Sequence, residues 1–323
     1  MGGIPIQRLT PEQSDRVLEK AIAMGITFFD TARIYTDSES KMGRVLSRHR
    51  KRVVIATKTF RRDRHSVEKE IDASLTQLRT DFIDLYQCHN IASVAELEEI
   101  LSSGGALEAL VHAQKSGKIR HIGISGHKSR VVLKAIEAFP FATIQIPFNH
   151  LETEALEALI PYAREKKIGI IAMKPVGGGN IRNIALNFRF IFLNGIDVAI
   201  PGMDAETQVA ENISAIKEVG PLNRQESALL EAEKARLGNL FCRRCEYCMP
   251  CPQGLPVAFL HVLKNYYFLY DLKDWVRERM KTLPKTFKDC TACRTCVARC
   301  PYQIDSPAIF KKTWETIQAE KSK

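Results

Sequence analysis

Two cysteine runs in the last quarter of the chain constrain its fold and chemistry more than any other feature. They read Cys242-x2-Cys245-x2-Cys248-x2-Cys251-Pro252 and Cys290-x2-Cys293-x2-Cys296-x3-Cys300-Pro301. Three thiolates spaced two residues apart can wrap one cuboidal centre, because each spacer turns the chain back on it. A fourth cysteine before proline points away and ligates a neighbouring centre. The second run matches this spacing in full, and the first is one residue short before its fourth cysteine. Two four-cysteine zinc sites are the plainer alternative, but zinc usually takes separated Cys-x2-Cys pairs. The spacing therefore predicts two [4Fe-4S] clusters. One takes Cys242, Cys245, Cys248 and Cys300; the other takes Cys290, Cys293, Cys296 and Cys251. Only Cys88 lies outside the runs.

The charge is concentrated in the same region. The 323 residues carry a formal +10, and residues 239–323 hold 15 Lys and Arg against 8 Asp and Glu, a net of +7. Basicity alone is a weak sign of nucleic acid. Here the basic residues are dispersed among cysteines and helices without a recognised binding motif, so no nucleic-acid partner is expected. An oxidised cubane with its four thiolates carries roughly −2, so much of this basicity offsets cluster charge. The remainder suits an acidic redox partner such as a ferredoxin or flavodoxin. No apolar run reaches the ~18 residues that span a membrane, and the first ten residues lack a secretory pattern. A cytoplasmic location is expected, where clustered cysteines more often bind metal than form disulfides.

Before residue 238 the pattern is different. Short apolar runs recur at 26–30, 53–57, 82–87, 119–125, 142–146, 170–173 and 197–201. They are continuously apolar, as parallel strands covered on both faces should be. Amphipathic stretches alternate with them at 11–24, 39–50, 65–78, 106–116, 129–139, 152–167, 181–193 and 205–219. Gly25, Gly117, Gly169 and Gly195 sit between a helix and a strand, where a left-handed cap is wanted. This alternation predicts a parallel α/β fold, either doubly wound or a (β/α)8 barrel. An eighth strand would have to be Gly3–Ile6. Beyond Gly220 and Pro221, a charged helix over 224–237 leads to a boundary near 238, giving domains 1–238 and 239–323. The second domain is expected to be mainly helical, over 256–270, 272–280 and 306–321.

Three of the strands lead into ionisable residues: Asp30 followed by Tyr35, then Lys58, then His89. Carboxyl ends of barrel strands share one open face, where catalysis sits. Singly, such residues are usually solvated loop positions or structural histidines; together on successive strands they point to one site. Phe29-Asp30-Thr31-Ala32-x2-Tyr35, Thr57-Lys58 and Asp84-Leu85-Tyr86-x2-His89 resemble the Asp/Tyr/Lys/His tetrad of the aldo/keto reductase family. Further matches to that family follow in Ile119–Ser125, Gln145–Asn149 and Ile200-Pro201-Gly202-Met203 with Gln208, Glu211 and Asn212. The cysteine region resembles the ferredoxin-like module of one branch of that family.

The resemblance implies a (β/α)8 TIM barrel, its first strand short or truncated, followed by a two-cluster ferredoxin-like domain. It implies hydride exchange between NAD(P)H and a small carbonyl or alcohol. Tyr35 would be the general acid, Lys58 would favour its ionisation, Asp30 would hold Lys58, and His89 would orient the carbonyl. Ser125 and Gln145 map onto the carboxamide site of the cofactor, and Gln208, Glu211 and Asn212 onto its adenosine end. Met173, Lys174, Gly202 and Met203 complete the expected cofactor-binding set. Gly177-Gly178-Gly179 and Pro201-Gly202 follow the last two strands, where such barrels bind phosphate. Gly126 stands where the family usually has Asn, Met173 where an aromatic stacks on the nicotinamide, and Gln208 where Arg reads the NADP phosphate. The clusters would relay electrons to a partner. Two other roles share the same residues: cluster-fed, one-electron reduction of a substrate in the barrel, and a non-catalytic electron-transfer subunit.

Overall fold

The computed structural model describes all residues except Glu218, Val219, Asn239, Phe241, Cys245, Tyr270, Pro301, Ser322, Lys323 and the side chain of Lys321. Two compact units emerge: residues 1–177 with 181–230, and residues 178–180 with 231–323.

The first unit is a parallel barrel. Strands β1 (Phe28–Asp30), β2 (Val54–Thr59), β3 (Ile83–Ile91), β4 (Ile119–Gly126), β5 (Thr143–Pro147), β6 (Gly169–Met173) and β7 (Val198–Ile200) pair in chain order. Gly3–Ile6 is not a strand. Pro5–Arg8 forms a 3-10 helix instead, with Pro5 at its start, where the missing N–H costs nothing. The gap between β1 and β7 is bridged at a single residue: Gly2 pairs in parallel with Asp30 and with Gly202. Gly3 N donates to Asp30 O at 2.7 Å and Gly2 N to Pro201 O at 2.9 Å, so one rung stands in for a strand.

Register determines which side chains enter the barrel. Side chains alternate across a strand, and Ala56, Leu85, Ile171 and Ile200 form an interior cluster with Phe28, Met173 and Val198. Two residues beyond these lie Asp30, Lys58 and Gln87, on the same face. Lys58 is level with Gln87 and Ser125 with Gln145, while Asp30 pairs with Ala56, two residues before Lys58. Gly123 makes room: a Cβ there would lie 2.5 Å from Thr143 Oγ1 and 3.0 Å from Gln87 Cγ. Gln87 then reaches across to Gln145, its Nε2 donating to Oε1 at 2.9 Å.

Outside the sheet, the helices bury a continuous core that includes Leu18, Leu46, Ile71, Leu110, Ile136 and Phe188. Helix Pro11–Ala23 begins with a capping box between Thr10 and Gln13, a device worth about 1 kcal/mol. Helix Val94–Leu101 lies where no helix is expected from the sequence. The stretch 152–167 breaks into a 3-10 turn, Glu154–Leu156, and a helix, Leu159–Glu165. Gly25, Gly117 and Gly195 take left-handed caps, but Gly169 does not: Lys167 takes that conformation, with φ 57°, and Gly169 opens β6.

The second unit is helical, with Val257–Phe268, Lys273–Lys281 and Ser306–Lys321 packed around Leu260, Tyr267, Phe287 and Phe310. Its two cysteine runs fold as a repeat. Left-handed backbone occurs at Arg244 and Glu246 (φ 60° and 63°) and at Ala292 and Arg294 (55° and 59°), at matching offsets from Cys242 and Cys290. It recurs at Gly254 (72°) and Gln303 (48°), three residues beyond Cys251 and Cys300. In both places the turn closes by a backbone bond: Gly254 N donates to Cys251 O at 2.9 Å, and Gln303 N to Cys300 O at 3.0 Å. Helices then start at Val257 and Ser306, at the same distance from the fourth cysteine. The residue missing from the first run thus falls before Cys251, and the repeat is back in step after it. Among the described residues no helix is long and apolar enough to cross a membrane.

Candidate functional site

At the carboxyl end of the barrel, Lys58 is buried and its ammonium has three acceptors: Asp30 Oδ1 at 2.6 Å, Asp30 Oδ2 at 2.7 Å and the Thr31 carbonyl at 2.6 Å. An ammonium offers three N–H groups and an amine two, so this setting is built for the cation. Burial pulls Lys58 below the usual lysine range and pushes Asp30 up; their mutual attraction opposes both shifts. Gln145 also hydrogen-bonds Asp30.

Tyr35 leaves the loop after β1, with Lys58 Nζ 5.5 Å from its ring centroid. The His89 ring meets it edge-on at 5.8 Å. His89 sits within a register shift of β3 between Cys88 and Ile91, beside Asn90 at φ 53°, and such bulges re-aim side chains next to sites. Burial, reinforced by the Lys58 and Arg62 cations, holds His89 well below the usual imidazole range. It is neutral at pH 7, and its buried Nδ1 has no hydrogen-bond partner among the described residues. Cys88 points into the helix-facing core, and burial pushes its thiol up to about 12, so it is a packing residue.

Three residues at this site are not singled out by the sequence. Glu39 is buried and accepts from Thr57 Oγ1 at 2.7 Å, from Ser74 Oγ at 2.8 Å and from Arg33. It thereby ties the Tyr35 loop to β2. Its signal is a charge on the apolar stripe of its helix, one turn before Met42. Phe60 lies against His89 with ring centroids 4.2 Å apart, and Arg62 donates to the His89 carbonyl at 2.8 Å. Nothing local marks either.

The residues mapped to a nicotinamide cofactor are spread around the same face. Ser125 Oγ accepts from Asn90 N at 2.8 Å, and both polar ends of Gln145 are engaged by Gln87 and Asp30. Met173 ends β6 half-buried; Lys174 follows at φ 54°, its carbonyl accepting from Asn149. Met203 is fully buried and packs in the core. Gly202 is exposed four residues before helix Glu206–Ala215, so it does not open that helix. A Cβ on it would lie 2.7 Å from Pro5 Cγ. Gln208 Oε1 accepts from Asp204 N at 2.9 Å, Glu211 is exposed, and Asn212 Oδ1 is buried without a partner among the described residues.

In the second unit the thiols ring two cavities. One is lined by Cys242, Cys248, Cys296 and Cys300 together with Arg243, His261 and Tyr302. The other is lined by Cys251, Cys290, Cys293 and Cys296 with Leu255 and Phe310. Cys245 lies outside the described residues. The Cys296 thiol is pushed up by burial and by the neighbouring Cys290 and Cys251 sulfurs. Among the described residues no three His, Cys, Asp or Glu side chains converge as they would on a single ion.

Comparison with known proteins agrees with this geometry. The family description "Aldo/keto reductase family" matches residues 1–186, more than half of the chain. The chain belongs to that family. A second match, "4Fe-4S dicluster domain", covers residues 241–305. This aldo/keto reductase is 26% identical to L-galactose dehydrogenase of Arabidopsis thaliana over 67% of the chain and 82% of that protein. It is 34% identical to aldo-keto reductase YhdN of Bacillus subtilis, over 48% of the chain and 49% of that protein. Apart from L-galactose dehydrogenase, it spans about half the length of these curated relatives. Among solved structures it resembles an aldo-keto reductase from Bacillus halodurans (TM-score 0.63, 20% identity, 72% of this chain and 90% of that one). It also resembles one from Klebsiella pneumoniae in complex with NADPH (TM-score 0.61, 22% identity, 72% and 89%). The chain is thus an oxidoreductase of aldo/keto reductase type carrying a 4Fe-4S dicluster domain.

Proposed function

We propose that the barrel interconverts a small carbonyl compound and its alcohol with NAD(P)(H), and that the dicluster domain exchanges electrons with an acidic redox partner. The observation that carries this reading is the buried Lys58–Asp30 pair beside Tyr35 and a neutral His89. Cysteines 242, 245, 248 and 300 are proposed to hold one [4Fe-4S] cluster and 251, 290, 293 and 296 the other. Two cavities ringed by thiols suit polynuclear clusters better than single ions. On the barrel, a buried unpartnered Asn212 carbonyl and an exposed Gly202 with no space for a Cβ suit a nucleotide laid along the β7 loop. When bound, the nicotinamide would supply or take a hydride, and each cubane cluster would hold one electron for exchange with a partner.

The chain's own residues manage the proton. The Tyr35 hydroxyl gives its proton to the substrate oxygen as negative charge builds there, and takes it back in the reverse direction. The Lys58 cation favours the tyrosinate left behind. Asp30 holds Lys58 in place and balances its charge in the dry interior. Neutral His89 donates a hydrogen bond to the substrate oxygen without competing for the proton.

A second reading has one observation in its favour. Ser125 and Gln145 are engaged by Asn90, Gln87 and Asp30, which favours a barrel whose substrate is reduced by electrons from the clusters. One labelling experiment separates the two. Small aldehydes and ketones are incubated anaerobically with the protein and 4-deuterated NADH or NADPH. Deuterium on the product carbon, lost in Tyr35→Phe, supports hydride transfer. Product hydrogen drawn only from solvent, from a dithionite-reduced protein, would replace it with the cluster-fed reading.

A further inference from the structure

Resting on that reading, the edge of the second unit around the Cys290–Cys293 loop is, we propose, the docking surface for an acidic one-electron carrier protein. Of the described cysteines in the two runs, Cys293 alone is exposed, and Thr291, Ala292 and Arg294 around it are exposed as well. This follows from the left-handed turns at Ala292 and Arg294, which lift the short loop over the cavity lined by Cys290, Cys293 and Cys296. Electron exchange between proteins needs close approach of the two centres and no chemistry between them. Among the described thiols, the one nearest solvent therefore marks the edge where a carrier comes closest.

Charge then selects the carrier. Lys285 and Lys288 lead into Cys290; both are exposed, and neither has a carboxylate partner among the described residues. Arg294 is exposed too, but spends its charge on Asp305 at 3.0 Å. Asp289 is turned inward, capping Thr286 N at 2.7 Å. The corresponding edge of the first run is different. Among the described residues it exposes Glu246 and Tyr247, with Arg244 half-buried and Arg243 buried, its guanidinium 3.7 Å over the Tyr302 ring. The two halves of the repeat thus share a backbone and differ in what they show to solvent. A carrier with a negative face is drawn to one edge and not to the other.

The test uses the full-length, cluster-loaded protein. Iron, sulfide and the EPR signals of the reduced clusters are measured first, so a protein without clusters overturns the functional reading itself. Lys285→Glu/Lys288→Glu is then compared with Lys311→Glu/Lys312→Glu, which makes the same charge change on the exposed face of helix Ser306–Lys321. Stopped-flow reduction by a reduced acidic ferredoxin is expected to slow at least ~10-fold in the first variant at low salt, with the difference fading as salt rises. The second variant is expected to stay within about twofold of wild type. Cluster midpoint potentials, and reduction by a small viologen radical at high salt, should match wild type in both. Equal slowing in both variants, or no slowing in either with clusters intact, overturns the docking surface.

Discussion

The barrel and the cysteine unit handle charge in opposite ways. In the barrel the ionisable groups are sealed in: Lys58 is 1% exposed and Asp30 3%. Each hydrogen bond that Lys58 can give is spent on a neighbour. In the second unit the thiols surround open cavities, Cys293 reaches solvent, and Lys285 and Lys288, exposed and without a carboxylate partner among the described residues, precede Cys290 in the chain. The difference matches the chemistry proposed for each. Moving a proton and a hydride to one carbon–oxygen bond needs groups held still and water kept out. Passing one electron to another protein needs an edge that can be approached.

Removing one partner of the buried pair should break this contrast most severely. Lys58→Met takes from Asp30 its buried side-chain cation and should cost about 3–5 kcal/mol in denaturant unfolding. Asp30→Asn together with Lys58→Met should recover much of that loss while staying inactive; a single-variant loss under ~1 kcal/mol would mean the pair is not isolated from water. Next comes Tyr35→Phe, which should lower kcat by about 10²–10⁴ while leaving the fold and the cluster EPR signals as they are. A third change tests independence from the other side. Cys293→Ser should lose about half of the iron and one EPR signal, with the unfolding of the barrel unmoved. Cys88→Ala should keep all the iron, since Cys88 packs in the barrel core.

The smallest expected effect is a pH dependence confined to the second unit. His261 is buried against Phe310 and bonded to Ser306 Oγ at 2.8 Å, and burial, helped by Lys264, pushes it down to about 4 from 6.5. Below pH 6.5 the unfolded chain takes up a proton at this histidine that the folded chain does not. Stability should therefore fall as pH drops from 6.5 to about 4, by at most about 3 kcal/mol. His261→Gln should flatten that slope relative to wild type in parallel unfolding curves. An unchanged slope would show that His261 is hydrated.

How much of this was legible in the sequence depends on how local the signal is. The cysteine runs are read from spacing alone, because within each run every cysteine lies within four residues of the next. The strand cores were legible too, since parallel strands buried on both faces stay apolar throughout. The barrel's closure was not. One backbone rung at Gly2 has no side-chain pattern, and Pro5, which ends any strand there, reads equally well as a loop. The Gly169 expectation failed because a left-handed cap follows from where a helix ends, and Lys167 could adopt it with its side chain in solvent. Glu39 and Arg62 were missed for a related reason. Their partners, Ser74 and the His89 carbonyl, are 35 and 27 residues away in the chain, and only the closed barrel brings them together.

The most direct test of the central claim, a nicotinamide-linked barrel joined to an electron-exchanging unit, is an anaerobic titration of the cluster-loaded protein with NADH and with NADPH. Nicotinamide fluorescence reports binding, and EPR after dithionite reduction counts the clusters. Saturable binding of one nicotinamide per chain is expected for at least one coenzyme, alongside signals from two clusters. A protein that shows both clusters yet binds neither coenzyme would contradict that claim.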